Sequence, residues 1–172
     1  IYESHYKSNR NGETPFSNFT QYLERWMRVK IASSNKNKLN TKKNTLEIGA
    51  GTLNQLPFEV VGPDSIYDVI EPMDYLYKDS PYLGSITNIY NDIKEIPNTK
   101  SYDRIISIVT LEHIIDLPLV IKESIKRLKD GGIFSCGIPS EGGLLWGLSW
   151  RISTGLEFRI KYNADYGELM RH

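Results

Sequence analysis

From residue 45 onward the chain reads as short apolar runs, each closed by glycine, proline or an acidic residue. Residues 45–48, 66–70, 85–89, 104–109 and 133–138 each have strand length, and several are continuously apolar rather than alternating. Continuous runs belong to strands covered on both faces, the condition of a parallel sheet. Between the fourth and fifth runs, Leu119, Val120, Glu123, Ser124, Arg127 and Leu128 recur at helical spacing within 117–129, and Asp130-Gly131-Gly132 stops the pattern. One βαβ unit follows. Ahead of the runs, Phe19, Tyr22, Leu23, Trp26 and Met27 predict an amphipathic helix over 17–32, with Ser17 as N-cap behind Pro15. Residues 33–44 are polar and predict a loop. The first crossover, 52–61, is interrupted by Pro57 and closed by Gly62-Pro63, so at most a short helix fits there. Beyond Pro139 come Gly142-Gly143, a Trp-rich stretch over 144–152 and a polar end, with no further strand pair.

A length of 172 residues suits one compact core, and 40% hydrophobic with 24% charged residues excludes a disordered or fibrous chain. Lys plus Arg and Asp plus Glu both count 21, so no global field favours a phosphate-rich or membrane-surface partner, and no nucleic-acid partner is expected. The densest basic stretch, 36–43, is interleaved with Asn and reads as a solvated connector or, alternatively, a binding patch. Cys136 is the only cysteine, which excludes an internal disulfide and fits a reducing, cytoplasmic setting; within its strand it is expected to be a small buried hydrophobe. No apolar run approaches the roughly 18 residues of a membrane span. The chain opens at Ile1, which leaves room for native sequence ahead of it. His5 and His172 make no metal-ligand pattern, and no metal is expected.

The sharpest local signal is Leu46-Glu47-Ile48-Gly49-Ala50-Gly51-Thr52, a buried strand running into two glycines spaced by one residue. Without a Cβ the backbone can turn tightly and lie close to a ligand. A tight turn that binds nothing has the same pattern. Twenty residues after Gly51, Glu71 ends the second strand, where a carboxylate can accept from both hydroxyls of a ribose. It can equally cap a turn with Pro72.

These features together resemble the class I S-adenosylmethionine-dependent methyltransferases. Residues 46–52 look like the first motif of that family, Glu71 like its ribose-binding acid, and Asp92-Ile93 like the pair that brackets the adenine. Tyr102-Asp103-Arg104-Ile105-Ile106-Ser107, followed by Leu111-Glu112-His113-Ile114, resembles its fourth strand and the turn after it. Lys129-Asp130-Gly131-Gly132-Ile133-Phe134 resembles the turn into its fifth. The likeness runs in order from about residue 46 to 139, roughly half the chain.

The resemblance implies a Rossmann-like three-layer α/β sandwich with a mostly parallel sheet, and S-adenosylmethionine as cofactor. It divides the chain into an N-terminal helical lid and linker (1–44), a cofactor-binding core (45–139) and a C-terminal connection belonging to the acceptor region (140–172). Gly49, Ala50 and Gly51 are then expected along the methionine portion and ribose, with Glu47 supporting the amino group directly or through water. Glu71 holds the ribose, Asp92 accepts from the adenine amino group or only shapes a turn after Asn91, and Ile93 flanks the ring unless it is simply core. Thr110 and Leu111 lie near the sulfonium.

Few catalytic side chains are needed for methyl transfer. His113 is the imidazole available as general base toward a hydroxyl acceptor, or else caps or orients the next helix. Glu112 is a second acid or base candidate that equally suits a helix start. Tyr2 or Tyr6 is a candidate lid residue, and Trp146 and Trp150 with Leu144, Leu145 and Leu148 line an acceptor pocket or pack a core. Leu53 replaces the third glycine of the family motif, and the sixth and seventh strands have no counterpart before His172, so a truncated chain is expected. The expected activity is methyl transfer to a small-molecule or sugar-containing acceptor. The rival readings are a non-catalytic module of the same fold and a nicotinamide-dependent oxidoreductase, the latter opposed by the missing third glycine.

Overall fold

A computed structural model describes the backbone of residues 15–33 and 43–138, and their side chains from Gln21 onward. The chain divides into two compact units, Glu24–Ile138 and a second formed by Ile1–Leu23 with Pro139–His172. Tyr2, Tyr6, His5, most of the basic stretch 36–43, the Trp146–Trp150 cluster and His172 lie outside the described residues.

In chain order the elements are α1 (Pro15–Ser33), β1 (Asn44–Ile48), β2 (Ile66–Ile70), α2 (Asp74–Tyr77), β3 (Asn88–Tyr90), β4 (Tyr102–Ile108), α3 (Leu117–Arg127) and β5 (Leu128–Gly137). The strands form one five-stranded sheet in the order β3-β2-β1-β4-β5, every neighbouring pair parallel. The order reverses between β1 and β4, and ligands of open α/β sheets bind at such a switch point, outside the carboxyl ends of the strands.

Alternation along the strands assigns the two faces. Leu46, Ile48, Ile70 and Ile105 form one core with Ile93, Ile96 and Tyr102, covered by Val120 of α3 and joined by Leu128 and Phe134. On the other face Tyr67 and Val69 pack with Ala50, Leu53 and Leu56, while Ile106 and Ile108 pack with Ile31 of α1. Helices on both faces of a parallel sheet make the Rossmann-like α/β architecture expected from the apolar runs.

The α1 face also carries a buried polar cluster. Arg104 donates to both oxygens of Glu59, at 2.7 and 3.0 Å, and to the Ile31 carbonyl at 2.8 Å. Gln55 donates to Glu59 at 2.6 Å and to the Arg28 carbonyl at 3.3 Å. Arg104 thus bonds a carbonyl of the last turn of α1, where the helix itself supplies few donors, and Gln55 one a turn earlier.

Several boundaries differ from the sequence pattern. Helix α1 begins at Pro15, whose fixed φ suits a first turn, so Ser17 lies inside the helix rather than capping it. The third run forms a strand only over Asn88–Tyr90, because Leu83–Ser85 closes into a 3-10 turn and pairing with β2 begins where Thr87 N–H meets the Tyr67 carbonyl at 2.8 Å. The first crossover holds a single 3-10 turn, Leu56–Phe58. Helix α3 stops at Arg127, and Leu128 already pairs with Tyr102 before residues 129–132 loop out and Ile133 resumes opposite Arg104. Gly131, at φ +74°, makes that loop possible. Cys136 is exposed rather than buried: it sits on β5, the last strand in the sheet order, outside the core clusters.

Candidate functional site

The carboxyl end of β1 turns through an alternation of left-handed residues: Gly49 at φ +72°, Gly51 at +53° and Leu53 at +64°. Gly49 is required twice over, since a Cβ there would lie 2.1 Å from Thr110 Cγ2. Its N–H donates to the Ile70 carbonyl at 2.9 Å, tying the bend to the end of β2. Gly51 is the opposite case: among the described residues a Cβ would meet nothing within 4 Å.

Leu53 occupies the place of the family's third glycine and adopts the conformation a glycine would take without strain. For a leucine that conformation costs about 1–2 kcal/mol. The side chain is fully buried with Ala50, Leu56, Tyr67 and Val69, and burying a leucine returns about 1.5–3 kcal/mol. The backbone course of the motif survives the substitution because packing offsets the strain.

Glu71 follows β2 and is only 5% exposed. Its Oε2 accepts the Gly51 N–H at 2.7 Å and its Oε1 accepts the Met73 N–H at 3.1 Å. An ionised carboxylate has about four acceptor positions, so two amide bonds leave acceptor capacity on both oxygens. The bend and the acid, separate signals in sequence, are in direct contact.

Glu47 points to the α1 face and is 1% exposed. Burial raises its pKa from the usual 4.5 to about 7, partly countered by the Tyr67 hydroxyl, which donates to it at 2.8 Å. Ala50 is buried in the core cluster beside Leu53. Asp92 caps the 3-10 turn Ile93–Glu95, its Oδ1 accepting the Lys94 N–H at 2.8 Å, and it is exposed. The Ile93 side chain is 2% exposed and lies in the core with Ile48 and Ile70.

After β4, Thr110 lies against Gly49, Leu111 is buried, and Glu112 and His113 are exposed on the 3-10 turn Leu111–His113. Helix α3 is capped by Asp116, which accepts the Leu119 N–H at 3.2 Å, and not by His113. Gly49, Gly51, Glu71 and Thr110 are thus brought together at the switch point; Glu47 faces away beneath it.

Three participants were not singled out from sequence. Met73 contributes only an amide, Tyr67 only a hydroxyl from the opposite face, and Val109 only a backbone conformation, φ +53°. None carries a local pattern. Among the described residues no group of three or more His, Cys, Asp or Glu could hold a metal ion, and no helix is long and apolar enough to cross a membrane.

No protein-family model matches the chain, and no curated protein matches it in sequence. Solved structures do match. The plantazolicin methyltransferase BpumL, in complex with a triazolic desmethylPZN analog and SAH, superposes at TM-score 0.60 with 17% identity, covering 90% of this chain and 56% of BpumL. A putative S-adenosyl-L-methionine-dependent methyltransferase from Methanococcus maripaludis gives 0.55 with 16% identity over 96% of this chain and 80% of that one. A putative sarcosine dimethylglycine methyltransferase from Galdieria sulphuraria gives 0.52 with 24% identity over 66% and 44%. The chain therefore spans little more than half the length of BpumL. With its five-stranded parallel sheet and these superpositions, the chain has the fold of the class I S-adenosylmethionine-dependent methyltransferases.

Proposed function

We propose that this chain binds S-adenosylmethionine at residues 49–51 and takes part in transferring its methyl group to a small-molecule or sugar-containing acceptor. The observation that carries the reading is the 2.7 Å bond from Gly51 N–H to Glu71, at a glycine where a Cβ would meet nothing within 4 Å among the described residues. Two adjacent ribose hydroxyls suit the acceptor capacity left on Glu71, and a glycine at 51 lets the sugar approach the backbone. These residues fit an adenosine.

Asp92 is the acceptor assigned to the adenine amino group, exposed at the start of its turn. Ile93, its side chain in the core, acts on the ring through its backbone. Glu47 is buried against Tyr67 and acts on the methionine amino group only indirectly. Thr110 and Leu111 bound the sulfonium end.

When bound, the cofactor supplies a methyl sulfonium, from which a thioether leaves as the methyl passes to a nucleophile. The chain has to align the acceptor and exclude water. His113, exposed on the 3-10 turn after Thr110, is the imidazole we assign to take a proton from a hydroxyl acceptor. The SAH bound in BpumL supports the cofactor assignment, as do the putative methyltransferases among the other neighbours.

Calorimetric titration with S-adenosylmethionine, SAH and NAD tests the first half: micromolar binding of the first two and none of the third is expected, and the reverse overturns it. A labelled methyl-transfer screen across small-molecule pools tests the second half. Binding without labelled product reduces the chain to a non-catalytic module.

A further inference from the structure

Val109 leaves β4 in the left-handed conformation, φ +53°, which a β-branched residue rarely adopts. Its N–H donates to the Gly137 carbonyl at 2.8 Å, and its side chain packs against the cluster of Ile31, Ile106 and Ile108. Held on both sides, the turn persists despite its strain. The consequence falls on the next residue. Directed by Val109, the Thr110 side chain lies over Gly49, where a Cβ would be 2.1 Å from Cγ2 and 2.3 Å from Oγ1. The Thr110 hydroxyl is 3.3 Å from the Gly49 carbonyl and 3.1 Å from the Ile108 carbonyl, sharing its one proton between them. Gly49 is thus held from β2 through its amide and from beyond β4 through its carbonyl, two residues ahead of the amide that meets Glu71.

We infer that Thr110, aimed by the left-handed Val109, is a positioning residue that locks the Gly49 peptide and so preorganises residues 49–51 for their ligand; this rests on the reading that S-adenosylmethionine binds there. A bend built on two glycines has the largest backbone freedom to lose on binding. Restraining it beforehand removes part of that loss from the affinity. The restraint is not needed to join the strands: β1 and β4 are already paired from Thr45↔Arg104 to Ile48↔Ser107, and Ser107 Oγ donates to the Ile48 carbonyl at 3.0 Å. What Thr110 adds falls on the bend alone.

The test measures SAH affinity by calorimetry and Tm by thermal unfolding, for the wild-type chain and three variants. Thr110→Val keeps the shape over Gly49 and removes the hydroxyl; SAH affinity is expected to fall up to about tenfold, because binding must then remove freedom the bend has regained, with any loss in Tm no larger than one hydrogen bond is worth. Thr110→Ser keeps the hydroxyl and is expected to retain most of the affinity. Val109→Gly relieves the strain but removes the packing against Ile31, Ile106 and Ile108 that holds the turn in place, and a loss of about three- to tenfold is expected. Wild-type affinity in Thr110→Val, an equal loss in Thr110→Ser, or a fall in Tm with affinity unchanged would overturn the inference while leaving the cofactor reading intact. If Thr110→Val does not fold, Val109→Gly decides, and wild-type affinity there overturns it. A wild-type chain that binds neither SAH nor S-adenosylmethionine ends the proposed function and this inference with it.

Discussion

The Tyr67 hydroxyl donates to the Glu47 carboxyl at 2.8 Å across neighbouring strands, on a face where both side chains are almost fully buried. Burial holds the Glu47 proton until about pH 7, whereas an unfolded chain releases it near 4.5. The unfolded state therefore binds fewer protons between those values, and stability falls as pH rises from about 4.5 to about 7, then levels. The full effect is about 3 kcal/mol. Glu47→Gln keeps an acceptor for Tyr67 without the charge, so its denaturation midpoint should vary less with pH over this window and exceed wild type at pH 8. Curves that stay parallel to wild type refute the argument.

Glu71 serves two backbone amides, and in the proposed function a ribose as well. Glu71→Ala is expected to weaken S-adenosylmethionine binding by about 1.5 to 3 kcal/mol while the chain still folds. Glu71→Gln keeps one acceptor oxygen and should lose less. Calorimetry on both variants checks this, and an unaltered affinity in Glu71→Ala counts against the site.

Leu53 separates strain from packing. Leu53→Ala leaves the left-handed strain and opens a cavity, and is expected to destabilise the fold by about 2–5 kcal/mol. Leu53→Gly loses one further carbon but relieves strain worth about 1–2 kcal/mol. The glycine variant should therefore match or exceed the alanine variant in urea unfolding, against the usual ranking. Glycine falling well below alanine removes the strain argument.

Arg104 and Glu59 form a two-bond ion pair whose side chains are 5% and 1% exposed. Removing either partner leaves a buried charge, so Arg104→Met or Glu59→Gln should cost about 3–5 kcal/mol. Combining the two should recover part of the loss. Strictly additive losses in a double-mutant cycle rule out the coupling.

The glycine bend at 49–51 and the acid at 71 were legible because each rests on a local requirement, a missing Cβ and a carboxylate at a strand end. The strands over 66–70 and near 45–48 were legible from continuous apolar runs. The third strand was misplaced because its start depends on where Thr87 meets Tyr67, a contact twenty residues apart. Val109 left no trace at all, since nothing local marks a valine for a left-handed turn.

By itself the sequence determined which residues lack a side chain, which carry a charge and which must leave water, and those choices dictate a parallel sheet with a bend after its first strand. Only the tertiary structure decided that Glu71 reaches Gly51, that Thr110 covers Gly49, and that Glu47 turns away to Tyr67. Each of these joins residues at least twenty positions apart, so it follows from strand order and register, which exist only once the sheet has assembled.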